Sequence, residues 1–249
     1  MKKIFITTFL LIGVLLSQTG YDIAKKVDER QKPKDVKADL TMVLTNKKGK
    51  TRTSTIRSIS KDESKKQIIW FLAPADDKGV AFLKIEHDDK DDEMRLWLPA
   101  FNKVRRISAK QKSDNFMGSD MSYEDMTNRN LDDYTYKLAG TEIFDDIECF
   151  VLESTPKKGL KSEYSRHRAL IAKSNYVLLQ EKSFDKKNKL LKIKEVKSAQ
   201  QKGYDVPIEI YVENVQKKHN TRLVFDNFEL DTNVKDNLFQ QKNLKRLPR

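Results

Sequence analysis

From residue 35 onward the chain alternates apolar and polar positions with a period of two. In "VKADLTMVL", Val36, Ala38, Leu40, Met42 and Leu44 share one side, the pattern of a half-buried strand. "TNKKGK" then turns, and "TRTSTIRSIS" returns as a β-branched strand. "KQIIWFLAP" is a strand closed by Pro74, and "MRLWLPAFNKVRRIS" is a hairpin with "PAFNK" at its tip. Further strands follow in "YTYKLAGTEI", "IECFVLESTP", "YSRHRALIAK", "YVLLQEKSF", "LLKIKEVKSA", "VPIEIYVENV" and "TRLVFDNFEL", joined by short polar turns. Roughly a dozen strands, mostly antiparallel, predict a large curved sheet or open barrel, apolar on one face and wet on the other.

Three segments break this period. "YDIAKKVDERQK" gathers Ile23, Ala24 and Val27 on one helical face and ends before Pro33, a short amphipathic helix. "SDNFMGSDMSYEDM", Ser113–Met126, scatters Phe116, Met117, Met121 and Met126 among acids, serines and Gly118. Met117 and Met121 share a face if the segment is helical, Gly118 offers a hinge, and Ser122 offers a cap with Glu124 and Asp125 in the first turn. The segment reads either as a lid with soft apolar teeth or as a static plug on a core. "DNLFQQKNLKRL" is a helical turn or a tail.

The start is different again. "MKK" followed by the uncharged run Ile4–Leu16 and then "SQTG" has the layout of a secretory signal peptide, cut between Ser17 and Ala24. The run is shorter than the ~20 residues that span a bilayer, and no Cys follows it for lipid attachment. We therefore expect residues 1–19 to be a leader and residues 20–249 to form one domain working in the periplasm. The lone Cys149 makes no internal disulfide and reads as a buried strand thiol.

Composition adds the charge. The 249 residues are 38% hydrophobic and 35% charged, with a formal net charge of +12. Acids are interspersed among the lysines, and an exported chain rarely meets nucleic acid, so a solvated basic surface with transient attraction to anionic lipid head groups is expected, not nucleic-acid binding. His87, His167 and His219 stand at no metal spacing, and "HDDKDDE" lacks the glycine of a calcium loop. Neither H-E-x-x-H nor G-x-S-x-G occurs, so no metal, cofactor or catalytic group is expected.

The blocks "WFLAPADDKGVAFLK", "RLWLPAFNKVRRIS" and "FMGSDMSYEDM", in this order, with "YDIAKKVDER" before and "NYVLLQEKSFDKKNKLLK" after, resemble the LolA/LolB-like superfamily, in its branch of outer-membrane lipoprotein-sorting proteins. The resemblance implies a mainly β, incomplete antiparallel barrel with helices in its open mouth and an apolar cavity that takes acyl chains. It implies a carrier of lipid or lipoprotein acyl chains, served by an inner-membrane RND-type lipid exporter and an outer-membrane acceptor. The arginine-centred latch of LolA does not map onto Arg105, Arg106 or another position.

Candidate cavity and lid residues are Leu40, Met42, Trp70, Phe82, Leu96, Trp97, Phe116, Met117, Met121, Met126, Ile208 and Ile210. Trp70 and Phe71 are adjacent, so only one faces the ligand from a regular strand. Lys103, Arg105 and Arg106 are candidates for a head group, or for a latch onto Asp120, Glu124 or Asp125. A lipid hydrolase using the same cavity, for instance through Ser119 or Ser122 with a histidine, and an envelope scaffold binding by its sheet edge are the alternative classes.

Overall fold

A computed structural model describes residues 18–248. Of the leader assigned to residues 1–19, residues 1–17 lie outside the described residues, and Thr19 is the N-cap of the first helix. One helix, α1 (Gly20–Asp28), precedes thirteen strands: β1 (Asp35–Thr45), β2 (Thr51–Lys61), β3 (Lys66–Ala73), β4 (Ala81–Ile85), β5 (Glu93–Leu98), β6 (Lys103–Ile107), β7 (Tyr134–Phe144), β8 (Ile147–Pro156), β9 (Tyr164–Ala172), β10 (Leu178–Asp185), β11 (Leu190–Gln201), β12 (Tyr204–Asn214) and β13 (His219–Leu230). They form one antiparallel sheet in the order β6-β5-β4-β3-β2-β1-β13-β12-β11-β10-β9-β8-β7. Two meanders, β1–β6 and β7–β13, are fused by the pairing of β1 with β13, Met42 opposite Leu223 and Leu40 opposite Phe225. The sheet curves without closing, a half-open barrel whose free edges are β6 and β7.

Alternation decides the faces. Leu40 and Met42 of β1, Ile56 of β2, Ile69 and Phe71 of β3, Phe82 of β4, Met94 and Leu96 of β5, and Ile107 of β6 form one buried cluster on the concave face. Their odd-numbered and even-numbered neighbours Ile68, Trp70, Ala81, Leu83 and Trp97 point outward and are buried beneath Val234, Phe239 and Leu244. The C-terminal stretch is thus a strap of 3₁₀ turns over the outer face of β2–β6, with the Trp70 indole Nε1 donating to the Asn243 carbonyl at 3.4 Å. Strands β3–β5 are covered on both sides, which is why "IIWFLA" is a continuous apolar run and "AFLKI" is broken only by the buried Lys84.

Helix α1 starts from a capping box, Thr19 and Asp22 satisfying each other's backbone N–H groups. It lays Ile23, Ala24 and Val27 on the concave side of the other end of the sheet, against Leu152, Ala169 and Ile171. Gly20 permits the approach: a Cβ there would lie 2.7 Å from backbone atoms of Lys137 and Leu138 in β7. Among the described residues no helix is long and apolar enough to cross a membrane. Gly20→Ala forces the helix off β7, and we expect it to lower unfolding free energy by ~1–3 kcal/mol in a urea titration, an overpacking cost.

Candidate functional site

Residues 108–133 run from one free edge of the sheet, β6, to the other, β7, and they do so across the concave face. The middle of this crossing is a small β-like tongue, not a helix. Asn115 and Ser122 form an antiparallel bridge, Phe116 N–H donates to Met121 O at 2.8 Å, and Tyr123 N–H donates to Asp114 O at 3.1 Å. The helical expectation fails because the chain reverses at Met117 and Gly118, with φ of 47° and 77°. The Ser119 hydroxyl then competes for the turn, donating to Phe116 O at 2.7 Å. Ser122 and Asp125 do cap each other reciprocally, but only a single turn follows, closed by Thr127 N–H on Glu124 O at 3.1 Å.

The tongue sits on the apolar wall through its aromatic side chains. The Phe116 ring lies 5.2 Å from Phe82 and 5.9 Å from Tyr123, edge to face, and 6.1 Å from Phe71. Met117, Met121 and Met126 pack around the same cluster, half-buried, as do Leu44, Leu98, Ile210, Phe225 and Phe228. These last three leave a half-exposed apolar strip on β12 and β13 beside the tongue, with Phe225 and Phe228 stacked at 6.3 Å.

Polar groups hold the crossing at three places. At the tip, Asp120, 1% exposed, donates its N–H to Thr221 Oγ1 at 2.8 Å; its Oδ2 accepts from the same hydroxyl at 2.8 Å and from His219 Nδ1 at 2.6 Å. On the β4 side, the buried Lys84 ammonium pairs with Glu86 and donates to Met126 O at 2.7 Å, while Glu86 accepts from Asn128 N–H at 3.0 Å. Burial holds the Lys84 pKa below the usual lysine range against the pull of Glu86.

On the β9–β11 side, Asp125 accepts from Lys192 and from the Tyr164 hydroxyl, each at 2.7 Å, and Arg129 forks onto Glu181. Burial pushes the Asp125 and Glu181 carboxyls up, but Lys192 in one case and Arg129 with Lys194 in the other outweigh it and leave both below the ordinary range. His167, with no exposed surface, sits among them with Nδ1 2.9 Å from Ser183 Oγ. Burial and the Arg129 charge push its pKa down to about 3.

The sequence candidates are sorted by these contacts. Leu40, Met42, Phe82, Leu96, Phe116, Met117, Met121, Met126 and Ile210 come together on the concave face. Trp70 and Trp97 do not: strand alternation turns them to the outer face, and Phe71 is the member of its pair that looks inward. Ile208 is half-buried where β12 carries one extra residue opposite β11, a bulge that interrupts the simple alternation of "VPIEIYV". Arg105 lies opposite inward Leu96, Lys103 opposite Leu98, and Arg106 opposite outward-facing Arg95.

None of these three cations forms an ion pair among the described residues. The expected arginine latch is corrected: Asp120 is taken by His219 and Thr221, and Glu124 accepts the Glu163 N–H at 2.7 Å. Reasoning from sequence missed Lys84, Lys192, Glu181 and His167. Their signal is a charged or polar residue at an inward position of an otherwise apolar strand. The Ser119 and Ser122 hydroxyls bond to the tongue's own backbone and to Asp125, not to a histidine. Concavities of about 390 and 330 Å³ exist, but charged residues dominate their linings, Lys32, Asp62 and Glu63 in one, Glu195, Lys197 and Glu209 in the other, away from the apolar cluster.

One prediction follows from His167. Its pKa is about 3 folded and near 6.5 unfolded, so as pH falls below ~6.5 the unfolded chain takes up a proton the folded chain refuses. Stability conferred by this site is complete above that pH and declines by up to ~1.4 kcal/mol per pH unit beneath it. Urea titrations stepped from about pH 7 to about pH 5 should show this slope, reduced by about one proton in His167→Gln.

A family profile described as an uncharacterized protein matches residues 63–246. No curated protein matches the sequence. Among solved structures, a DUF1329 family protein from Desulfovibrio piger is 32% identical over 90% of this chain and 97% of its own, with a TM-score of 0.85. A domain from Vibrio parahaemolyticus, described as an outer membrane lipoprotein-sorting protein domain, is 30% identical over 91% of this chain and 98% of its own, also with a TM-score of 0.85. The LolA superfamily protein NE2245 from Nitrosomonas europaea shares the fold, with a TM-score of 0.72 at 19% identity over 91% of this chain and 99% of its own. The half-open barrel and these likenesses agree, and the chain belongs to the DUF1329 family, on a LolA-like fold.

Proposed function

We propose that this protein is an exported, periplasmic carrier that shelters the acyl chains of a lipid or lipoprotein on the concave face of its half-barrel. In this reading residues 20–249 act as one domain and hand the cargo from an inner-membrane partner, such as an RND-type exporter, to an outer-membrane acceptor. The observation that carries it is an apolar wall, Leu40, Met42, Phe71, Phe82 and Leu96, covered by a tongue and not by regular structure. The name of the Vibrio relative supports the same class of cargo. Covalent chemistry plays no part in this cycle.

The wall is occupied by Phe116, Tyr123 and the methionines, so loading is an exchange. The tongue lifts about Met117 and Gly118, acyl methylenes take the place of its side chains, and Met117 and Met121 close over them. Methionine suits that role because it is unbranched and adapts to irregular apolar shapes. The half-exposed strip of Ile210, Phe225 and Phe228 is the entry, reachable before the tongue moves.

Native mass spectrometry of the protein purified without detergent should find copurified lipid. Ile210→Ser and Phe225→Ser, at half-exposed positions that folding tolerates, should each weaken binding of a fluorescent acyl probe by about tenfold, the worth of one lost apolar contact. An empty protein that takes up no acyl probe would overturn the reading.

A further inference from the structure

An antiparallel meander sends alternate turns to opposite ends of the barrel, and here the two ends differ in charge. The turns 46–50, 74–80, 99–102, 157–163, 186–189 and 215–218 all lie at one end. Cross-contacts join neighbours there: a Cβ on Gly79 would sit 3.5 Å from Pro99, and Gln216 bonds Asp185 at 2.9 Å. These six turns carry twelve lysines against three acids. The five turns at the opposite end, 62–65, 86–92, 145–146, 173–177 and 202–203, carry nine acids against four lysines.

Pairing distinguishes the two sets of lysines. All twelve lysines of the first end are exposed, and none is in an ion pair among the described residues. Two of its three acids are already engaged, Asp77 by Arg52 at 2.7 Å and Glu163 by Lys192 at 3.2 Å. At the opposite end Lys65, Lys90 and Lys173 each face a carboxylate. The lysine-rich end also bears Phe101, 75% exposed at the β5–β6 tip, with exposed Lys103 next to it. The tip of the tongue lies at this end too. Gly118 is beside Leu44, near the end of β1, Asp120 is bonded to the start of β13, and Asn115 accepts from Lys217 at 3.4 Å.

We infer that this lysine rim, with Phe101 as an apolar wedge, docks the barrel mouth-first onto an anionic phospholipid surface. The inference rests on the carrier reading and deepens it by assigning which end meets the membrane. Unpaired lysines on mobile stems suit diffuse head-group charge, where a folded protein partner would demand paired, fixed geometry. Among the described residues the far end has no comparable cluster of unpaired lysines, so attraction is confined to the rim. The tongue tip is then delivered to the bilayer, where displaced apolar side chains and departing acyl chains both find a non-aqueous phase.

The test is cosedimentation of the mature protein with vesicles of phosphatidylcholine and phosphatidylglycerol, compared with phosphatidylcholine alone. Binding is expected only to the anionic vesicles and should weaken with salt. Each lysine near the surface contributes about fivefold, so Lys157→Glu, Lys158→Glu and Lys161→Glu combined should lose at least ~100-fold. The same charge change at exposed positions off the rim, Lys34→Glu, Lys110→Glu and Lys235→Glu, should cost far less. Phe101→Ser should lower retention at raised salt by about tenfold.

No binding to anionic vesicles, or equal loss in both triple variants, would overturn the inference. So would rim-dependent binding of polyglutamate without vesicle binding, which would assign the rim to an acidic protein. Acyl-probe uptake in vesicle-free solution, measured on the same proteins, separates the two readings. A failed carrier takes up no probe, whereas a failed membrane dock leaves uptake intact.

Discussion

A chain that builds a curved sheet from two meanders must still travel from the end of the first meander to the start of the second. Here those points are β6 and β7, the two free edges, and twelve strand spacings of ~4.8 Å put them roughly 58 Å apart along the curve. The 26 residues from 108 to 133 make the passage across the hollow, within the roughly 90 Å that an extended chain of that length can reach. Topology demands the passage, and the contacts of Phe116, Tyr123 and the methionines with Leu40, Phe82 and Leu96 place it on the concave face. Its apolar residues then meet an apolar wall, and its backbone polar groups must be satisfied there. The tongue, its aromatic anchor and its polar clamps all follow from that passage.

Two kinds of force hold the crossing, and they differ in what can replace them. Burying Phe116 contributes ~1.5–3 kcal/mol, and an acyl methylene entering the same space contributes ~0.8 kcal/mol. Two to four methylenes thus match one aromatic ring, and the apolar part of the tongue's attachment is exchangeable with a hydrocarbon chain. The clamps at Asp120, Asp125 and Lys84 are not exchangeable in that way, because a buried charge left without its partner is costly. They lie at and beyond the tip, all on the C-terminal side of Phe116 and Met117. Asp125 and Lys84 hold the later part of the crossing in place, so the tip lifts only when the bonds of Asp120 to His219 and Thr221 open. Asp120 is the clamp nearest the reversal at Met117 and Gly118, and it alone ties the tip to β13.

Most of the wall was legible in the sequence because a strand exposes its periodicity one residue at a time. Leu40, Met42, Phe82 and Leu96 declare their face by alternation, and α1 declares its buried stripe by Ile23, Ala24 and Val27. Trp70 and Trp97 misled because β3–β5 are covered on both sides, so that size and apolarity no longer mark the inner face. The strap beneath which they are buried is a polar-looking run, "DNLFQQKNLKRL", whose few apolar residues are spaced for 3₁₀ turns. The tongue was visible as an anomaly but not as a hairpin, since Met117 at positive φ is a conformation no propensity favours. Clamp partners such as Asp120 with Thr221 and His219 stand about a hundred residues apart, and no local pattern announces them. The charge polarity of the two ends became visible only once the strand order assigned each turn to an end.

The central claim is that the tongue must leave the wall for an acyl chain to enter. Cysteines at Asp120 and Thr221, whose side chains already touch, would tether the tip to β13 in a protein whose native Cys149 is buried in β8. Uptake of a fluorescent acyl probe by this double variant, oxidised and then reduced, is the direct measurement. The account predicts that the oxidised form takes up little or no probe and that reduction restores uptake; equal uptake in both forms would contradict it.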